Sequence, residues 1–227
     1  DSGTPRDRAA AAVRAQCELL IDAAGPACVA VKPQAACFER LGAPGWAALE
    51  ATVGYARAAG LLVLVDVKRG DVPHVAGIYA EGLVGSTPSP LGDLPGLGAD
   101  AFTANPLMGQ DVLEALLRVS RPVGAGVFVL VRTSNPGAGD VEDLALAEGG
   151  PLWERLAGLV DRLGAGGLGD SGLADVGAVT GATAPEHLAR MRELMPRTVF
   201  LLPGVGAQGG TVESLAPAFA PGRAGGL

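Results

Sequence analysis

The chain has 227 residues, with 17 Lys+Arg against 24 Asp+Glu and a formal net charge of −7. That length can bury a substantial core, and 48% hydrophobic residues exclude a disordered chain. The acidic balance argues against nucleic acid as a partner, because a phosphate backbone calls for a basic face.

Short apolar runs alternate with helical patterns along the whole chain. Strands are predicted at 27–32, 61–67, 100–104, 126–131, 175–180 and 198–202. They are continuously apolar and rich in Val and Leu, as strands buried on both faces should be. The first helix carries Val13, Cys17, Leu20, Ile21 and Ala24 on one face and stops at Gly25-Pro26. Trp46, Leu49, Val53 and Ala56 repeat the pattern in a second, and Val112, Leu113, Leu116 and Leu117 in a third. The clearest stripe is Leu152, Leu156, Leu159 and Leu163, between Pro151 and Gly164. Leu188, Met191 and Leu194 follow Pro185, and Val212, Leu215 and Phe219 follow a candidate N-cap, Thr211. The Pro/Gly-rich stretch 85–98 reads as a long loop rather than a domain boundary, so 1–227 is taken as one domain.

Six β–α units imply a parallel sheet with right-handed crossovers. A (β/α)₈ barrel takes about 250 residues. Either the sheet is open, or the first and last strands lie beyond the ends of the given chain. The second reading is preferred, because barrel closure removes raw edges.

Three cysteines (Cys17, Cys28, Cys37) form no Cys-x-x-Cys pair and exclude a disulfide scaffold. They point to a reducing, cytoplasmic compartment. Two histidines and no thiolate cluster argue against zinc. No apolar run reaches the roughly 18 residues of a membrane span, and no secretory signal opens the chain.

The sharpest candidate for chemistry is Asp66-Val67-Lys68-Arg69-Gly70-Asp71, after the most apolar strand. Asp66 and Lys68 are two apart and so share a face of an extended chain. At the C-terminal end of a barrel strand that face is the catalytic mouth. Opposite charges there favour each other's charged forms. Lys32 ends the preceding strand and would join Asp66 if the two strands are neighbours. Pro203-Gly204-Val205-Gly206-Ala207-Gln208-Gly209-Gly210 follows a late strand, where barrel enzymes hold phosphate on backbone amides. Ser134 and Asn135 offer hydroxyl and amide groups to a polar heterocycle.

These segments, with Thr103-Ala104-Asn105-Pro106-Leu107-Met108-Gly109 and Val179-Thr180-Gly181-Ala182-Thr183, resemble the orotidine 5′-phosphate decarboxylase family, in particular its longer, actinobacterial-type branch. The resemblance runs from about Val29 to Gly210. It implies a (β/α)₈ barrel working as a homodimer with shared sites. It implies decarboxylation of orotidine 5′-monophosphate to uridine 5′-monophosphate without metal or cofactor. Lys32, Asp66 and Lys68 match three members of the family's Lys-Asp-Lys-Asp array, and Asp71 matches the fourth, which reaches across from the partner. Lys68 would protonate C6 of the pyrimidine. Asp66 would crowd the scissile carboxylate, and Lys32 would orient the array and contact the ribose. Ser134 matches the reader of the pyrimidine edge, with Asn135 beside it. Gln208 matches the phosphate-loop glutamine, among Pro203, Gly204, Gly206 and Gly209.

The chain departs from the family pattern at Val72-Pro73-His74-Val75-Ala76, where the family carries a threonine. The family's ribose-contacting aspartate has no match unless it is Asp1, and its phosphate-clamping arginine has none. Two other readings stay open: a diverged relative acting on another phosphorylated sugar or nucleotide, distinguishable by magnesium dependence, and a non-catalytic nucleotide-binding protein.

Overall fold

The computed structural model describes residues 3–206, 208–220 and 222–227. Asp1, and Ala207 of the glycine-rich turn, lie outside the described residues.

The elements follow one another as the apolar runs predict. Helix α1 (Pro5–Ala24) opens on a capping box, in which Thr4 and Asp7 each satisfy the other's free amide. Strand β1 (Ala30–Val31), α2 (Ala35–Glu39), α3 (Ala43–Ala58), β2 (Leu62–Arg69) and α4 (Pro73–Leu83) come next. The 85–98 stretch folds into a small antiparallel pair, β3 (Ser86–Thr87) and β4 (Leu94–Pro95). Then come β5 (Ala101–Ala104), α5 (Gln110–Ser120), β6 (Gly126–Arg132), α6 (Leu152–Gly164), β7 (Val176–Thr180), α7 (Leu188–Leu194) and β8 (Phe200–Leu201).

Six of these strands form one parallel sheet in the order β1-β2-β5-β6-β7-β8. Beyond β8, Gly226 forms a parallel bridge with Phe200, so the final residues extend that edge. Among the described residues β1 and this segment do not meet, and the barrel is open. Alternate side chains divide between two apolar layers. Leu64, Phe128, Val179 and Leu201 fill the inside of the curled sheet. Val63, Val65, Phe102, Val127, Val129 and Phe200 pack outward against the helices in the larger core.

Three of the predicted helices differ from the structure, and in the second of them Trp46, on the predicted apolar stripe, is exposed. Leu20 and Ala24 are exposed, because α1 meets the body through Ala10, Val13, Cys17 and Ile21. The last predicted helix is a 3₁₀ turn over Glu213–Phe219, and Thr211 does not cap it. Pro217 lies inside it and has no amide to donate, which prevents a regular α-helix.

Arg192 is a buried cation that sequence periodicity does not single out. Its guanidinium donates to the carbonyls of Met195 and Thr198 (both 2.8 Å), Ala218 (2.6 Å) and Gly225 (2.9 Å). It also lies over the Phe200 ring, 3.8 Å from its centroid. Burial pulls it down to about 10, which leaves it charged at neutral pH. One side chain thus ties α7 to β8 and to the C-terminal segment. Arg192→Met should strand these carbonyls and cost about 3 kcal/mol, read from the midpoint of urea unfolding.

Candidate active site

The strand ends of β1, β2, β5, β6, β7 and β8 open into one cavity of about 480 Å³. Its lining includes Lys32, Gln34, Asp66, Lys68, Thr103, Thr133, Ser134, Asn135, Glu142, Pro203 and Gln208, over an apolar floor of Leu130, Val179 and Leu201. All three floor residues belong to, or pack against, the barrel-interior cluster. The cavity therefore sits directly above the inner core.

Asp66 is the centre of the polar wall. Its carboxylate accepts from Lys32 Nζ at 2.8 Å, Lys68 Nζ at 2.6 Å and Thr103 Oγ1 at 2.8 Å. The Asp66 side chain is 8% exposed, whereas those of Lys32 and Lys68 are 36% and 44% exposed. The acid is thus held inside, and the ammonium groups face the cavity and water. Burial pushes the Asp66 carboxyl up. The bonds from Lys32, Lys68 and Thr103, with the charge of Lys32, outweigh it and hold the group below the usual carboxylate value.

Lys68 reaches Asp66 by a route that strand alternation does not describe. β2 and β5 pair in register at Val65↔Phe102 and again at Arg69↔Ala104. Four residues of β2 therefore run against two of β5, so β2 bulges at the site. Lys68 sits in the left-handed region at φ 47°, alone among described non-glycine residues. That conformation costs about 1–2 kcal/mol. The Val67 and Lys68 amides turn onto Thr103 Oγ1, at 3.0 and 2.8 Å. The expected juxtaposition of Asp66 and Lys68 is present, but it comes from the bulge and not from an extended chain.

The opposite wall is built by the loops after β6, β7 and β8. Arg132 grips Asp143 with two bonds of 2.9 Å and its own loop carbonyl, Thr133 O, with a third of 2.9 Å. Glu142 accepts from the Thr133 amide at 2.8 Å, and Thr133 Oγ1 donates within reach of Glu142 and of Asn135 Oδ1. This network fixes Ser134 and Asn135 at the cavity edge. Thr183 Oγ1 donates to Ser134 O at 3.0 Å. Gly181 packs so close that an added Cβ would lie 2.8 Å from Ser134 Cα. Gly204, at φ 106°, would put a Cβ 3.2 Å from Ser134 Cβ and 3.0 Å from Gln208 Oε1. The three loops are therefore packed against one another at Ser134.

Of the residues singled out from sequence, the structure brings Lys32, Asp66, Lys68, Ser134, Asn135, Pro203 and Gln208 to the cavity. Gly204, Gly206 and Gly209 shape the turn beside it without lining it. That turn closes on itself through Gly206 N to Gly210 O and Gly210 N to Gly204 O. The helix predicted to follow it is the short 3₁₀ turn over Glu213–Phe219. Asp71 does not line the cavity, and its Oδ1 accepts from the Val72 amide at 2.7 Å. Gln34, Thr103, Thr133 and Glu142 belong to the wall and were not singled out. A lone polar residue inside the apolar strand β5 was the available signal for Thr103. Among the described residues no cluster of His, Cys, Asp and Glu is placed to hold a metal, and no helix is long and apolar enough to cross a membrane.

Fold and site together define a (β/α)-barrel enzyme class with a lysine–carboxylate centre at the C-terminal strand ends. The sequence profile of the orotidine 5′-phosphate decarboxylase / HUMPS family matches residues 10–225, and the chain belongs to that family. It is 41% identical over 214 residues to the orotidine 5′-phosphate decarboxylase of Rhodopirellula baltica, covering 94% of this chain and 70% of that one. It is 44% identical over 209 residues to the Deinococcus radiodurans enzyme of the same name, covering 92% and 71%. The solved structure of Leishmania donovani OMP decarboxylase superposes with a TM-score of 0.74 at 35% identity, over 94% of this chain and 74% of that one.

The depressed Asp66 fixes the sign of one pH effect. Its ionisation contributes stability that is complete above the unfolded value, about pH 4, and is lost as the pH falls through its lower folded value. Asp66→Asn should lose less stability than the wild type between about pH 4 and 2, measured as urea midpoints across that range.

Proposed function

We propose that this chain decarboxylates orotidine 5′-monophosphate to uridine 5′-monophosphate and CO₂, a step of pyrimidine synthesis. One observation carries the reading within the family: the buried Asp66 carboxylate flanked by two ammonium groups, at 2.8 and 2.6 Å, on the wall of a nucleotide-sized cavity.

The chemistry follows from charge. Cleaving the C6–carboxylate bond leaves its electron pair on C6 of the pyrimidine and releases neutral CO₂. The developing carbanion calls for a cation already in place, and a preset cation needs no reorganisation during the step. Lys68 supplies that charge and then a proton from Nζ to C6, so atoms and charge balance without a further reactant. Its partly exposed side chain allows solvent to return the proton. Asp66 holds Lys68 and stands against the substrate carboxylate, a repulsion relieved as CO₂ departs. Lys32 holds the other Asp66 oxygen and faces the ribose. Ser134 and Asn135 read the pyrimidine edge. Gln208 and the turn formed by Pro203, Gly204, Gly206 and Gly209 take the phosphate. Binding energy gained there can be used at the reacting carbon.

We take the working form to be a homodimer in which Asp71 completes the partner's site. Asp71 stands outside its own chain's cavity. The segments that follow β2 and β5 expose Val72, Ile78, Tyr79, Leu107 and Met108, an apolar set suited to a second copy. Three unpaired cysteines, two of them exposed, fit a cytoplasmic enzyme.

Adding the protein to orotidine 5′-monophosphate should bleach the substrate absorbance equally with and without EDTA. EDTA-sensitive turnover, or none, would favour the diverged relative. Lys68→Ala should abolish turnover with the circular dichroism spectrum unchanged. Mixing inactive Lys68→Ala and Asp71→Ala subunits should restore activity, since one site of each mixed dimer is intact. No recovery would count against the shared site.

A further inference from the structure

One buried polar side chain of the site takes no part in the chemistry outlined above. We infer that Thr103 is a positioning residue that holds the β2 bulge and thereby sets the Lys68 ammonium and the Asp66 carboxylate against the reacting carbon. This inference rests on the proposed decarboxylation.

The Thr103 hydroxyl has one proton and two lone pairs to offer. The proton goes to Asp66 Oδ1 at 2.8 Å, and the lone pairs receive the Val67 and Lys68 amides at 3.0 and 2.8 Å. Every bonding capacity of the hydroxyl is therefore committed within the protein. The residue is 1% exposed. It cannot bond a substrate without releasing one of these partners, which separates positioning from direct catalysis.

What it holds is a conformation that the backbone alone disfavours. Lys68 lies at φ 47°, and the two amides of the bulge, between the ladder pairs at Val65 and Arg69, donate to this hydroxyl. Removing the hydroxyl leaves the buried Val67 amide and the part-buried Lys68 amide without this acceptor. The bulge then relaxes toward a regular ladder, and Lys68 leaves its place beside Asp66. The groups assigned to base and phosphate sit on the loops after β6 and β8, braced by a separate network. Losing Thr103 therefore affects the chemical step and spares nucleotide binding.

The test compares Thr103→Val and Thr103→Ser with the wild type in kcat and KM for orotidine 5′-monophosphate. Uridine 5′-monophosphate affinity is measured by calorimetry, and a crystal structure of the valine variant is determined. Valine should lower kcat about 100-fold, the order of loss expected from a displacement near 1 Å. KM and nucleotide affinity should stay within about threefold of wild type. Serine should recover most of the lost kcat. A valine variant with near-wild-type kcat overturns the inference, and so does a serine variant as impaired as valine, which would point to packing of the methyl group. If valine does not fold, serine against alanine makes the same comparison of hydroxyl present and absent. If the wild type itself shows no turnover, the decarboxylase reading fails, and the inference is judged on the crystal structure. Retention there of the left-handed Lys68 and its Asp66 contact would overturn it, and loss of both would support it.

Discussion

A carboxylate removed from water must be matched by donors or it will not stay charged, and Asp66 is the point where this fold meets that demand. Three elements supply the donors: the end of β1 through Lys32, the bulge of β2 through Lys68, and β5 through Thr103. The order of strands in the sheet is what makes these three neighbours. Two lysines are thereby fixed in direction by a group that the solvent barely reaches. A site of this kind has its charges arranged before any ligand enters, which is the condition for electrostatic stabilisation of a developing anion.

The cavity has two walls of different construction. The β1–β2–β5 wall is an ion-pair array bound to a strained backbone. The wall formed by the loops after β6, β7 and β8 is a mesh of neutral and charge-assisted bonds around Thr133, Ser134 and Glu142. The first wall carries two ammonium groups on one buried carboxylate, the charges that the proposed function sets against the reacting bond. The second offers acceptors, donors and close-packed glycines suited to reading shape. The division matches a reaction in which the bond broken lies at one end of the ligand and the phosphate at the other.

Much of this was legible in the chain. Strands buried on both faces are continuously apolar, so all six were found, and the charged residues at their ends marked the mouth of the barrel. Lys32, Asp66 and Lys68 stood out because charges terminate apolar runs. The bulge did not stand out. Spacing of two looked like strand alternation, and the residue that bends the chain, Thr103, lies on another strand. Helix periodicity overcounted at Leu20, since an amphipathic stripe on α1 is wider than the face its neighbours cover. It failed at Glu213–Phe219, where Pro217 leaves a tighter helix. Arg192 escaped notice because a single cation between Met191 and Leu194 reads as solvated, while its partners are main-chain carbonyls that carry no sequence signal.

The crowding at Ser134 constrains how recognition in this cavity can change. Gly181 and Gly204 leave no room for side chains of their own, and Thr183 holds the Ser134 carbonyl from the neighbouring loop. A side chain at 204 would press on that of Ser134, and a side chain at 181 would push the backbone at 134 out of line. These positions are therefore coupled, and their substitutions will not combine additively. If Ser134 reads the base as proposed, a changed base preference calls for concerted replacement across three loops, and the pocket is hard to retune one residue at a time.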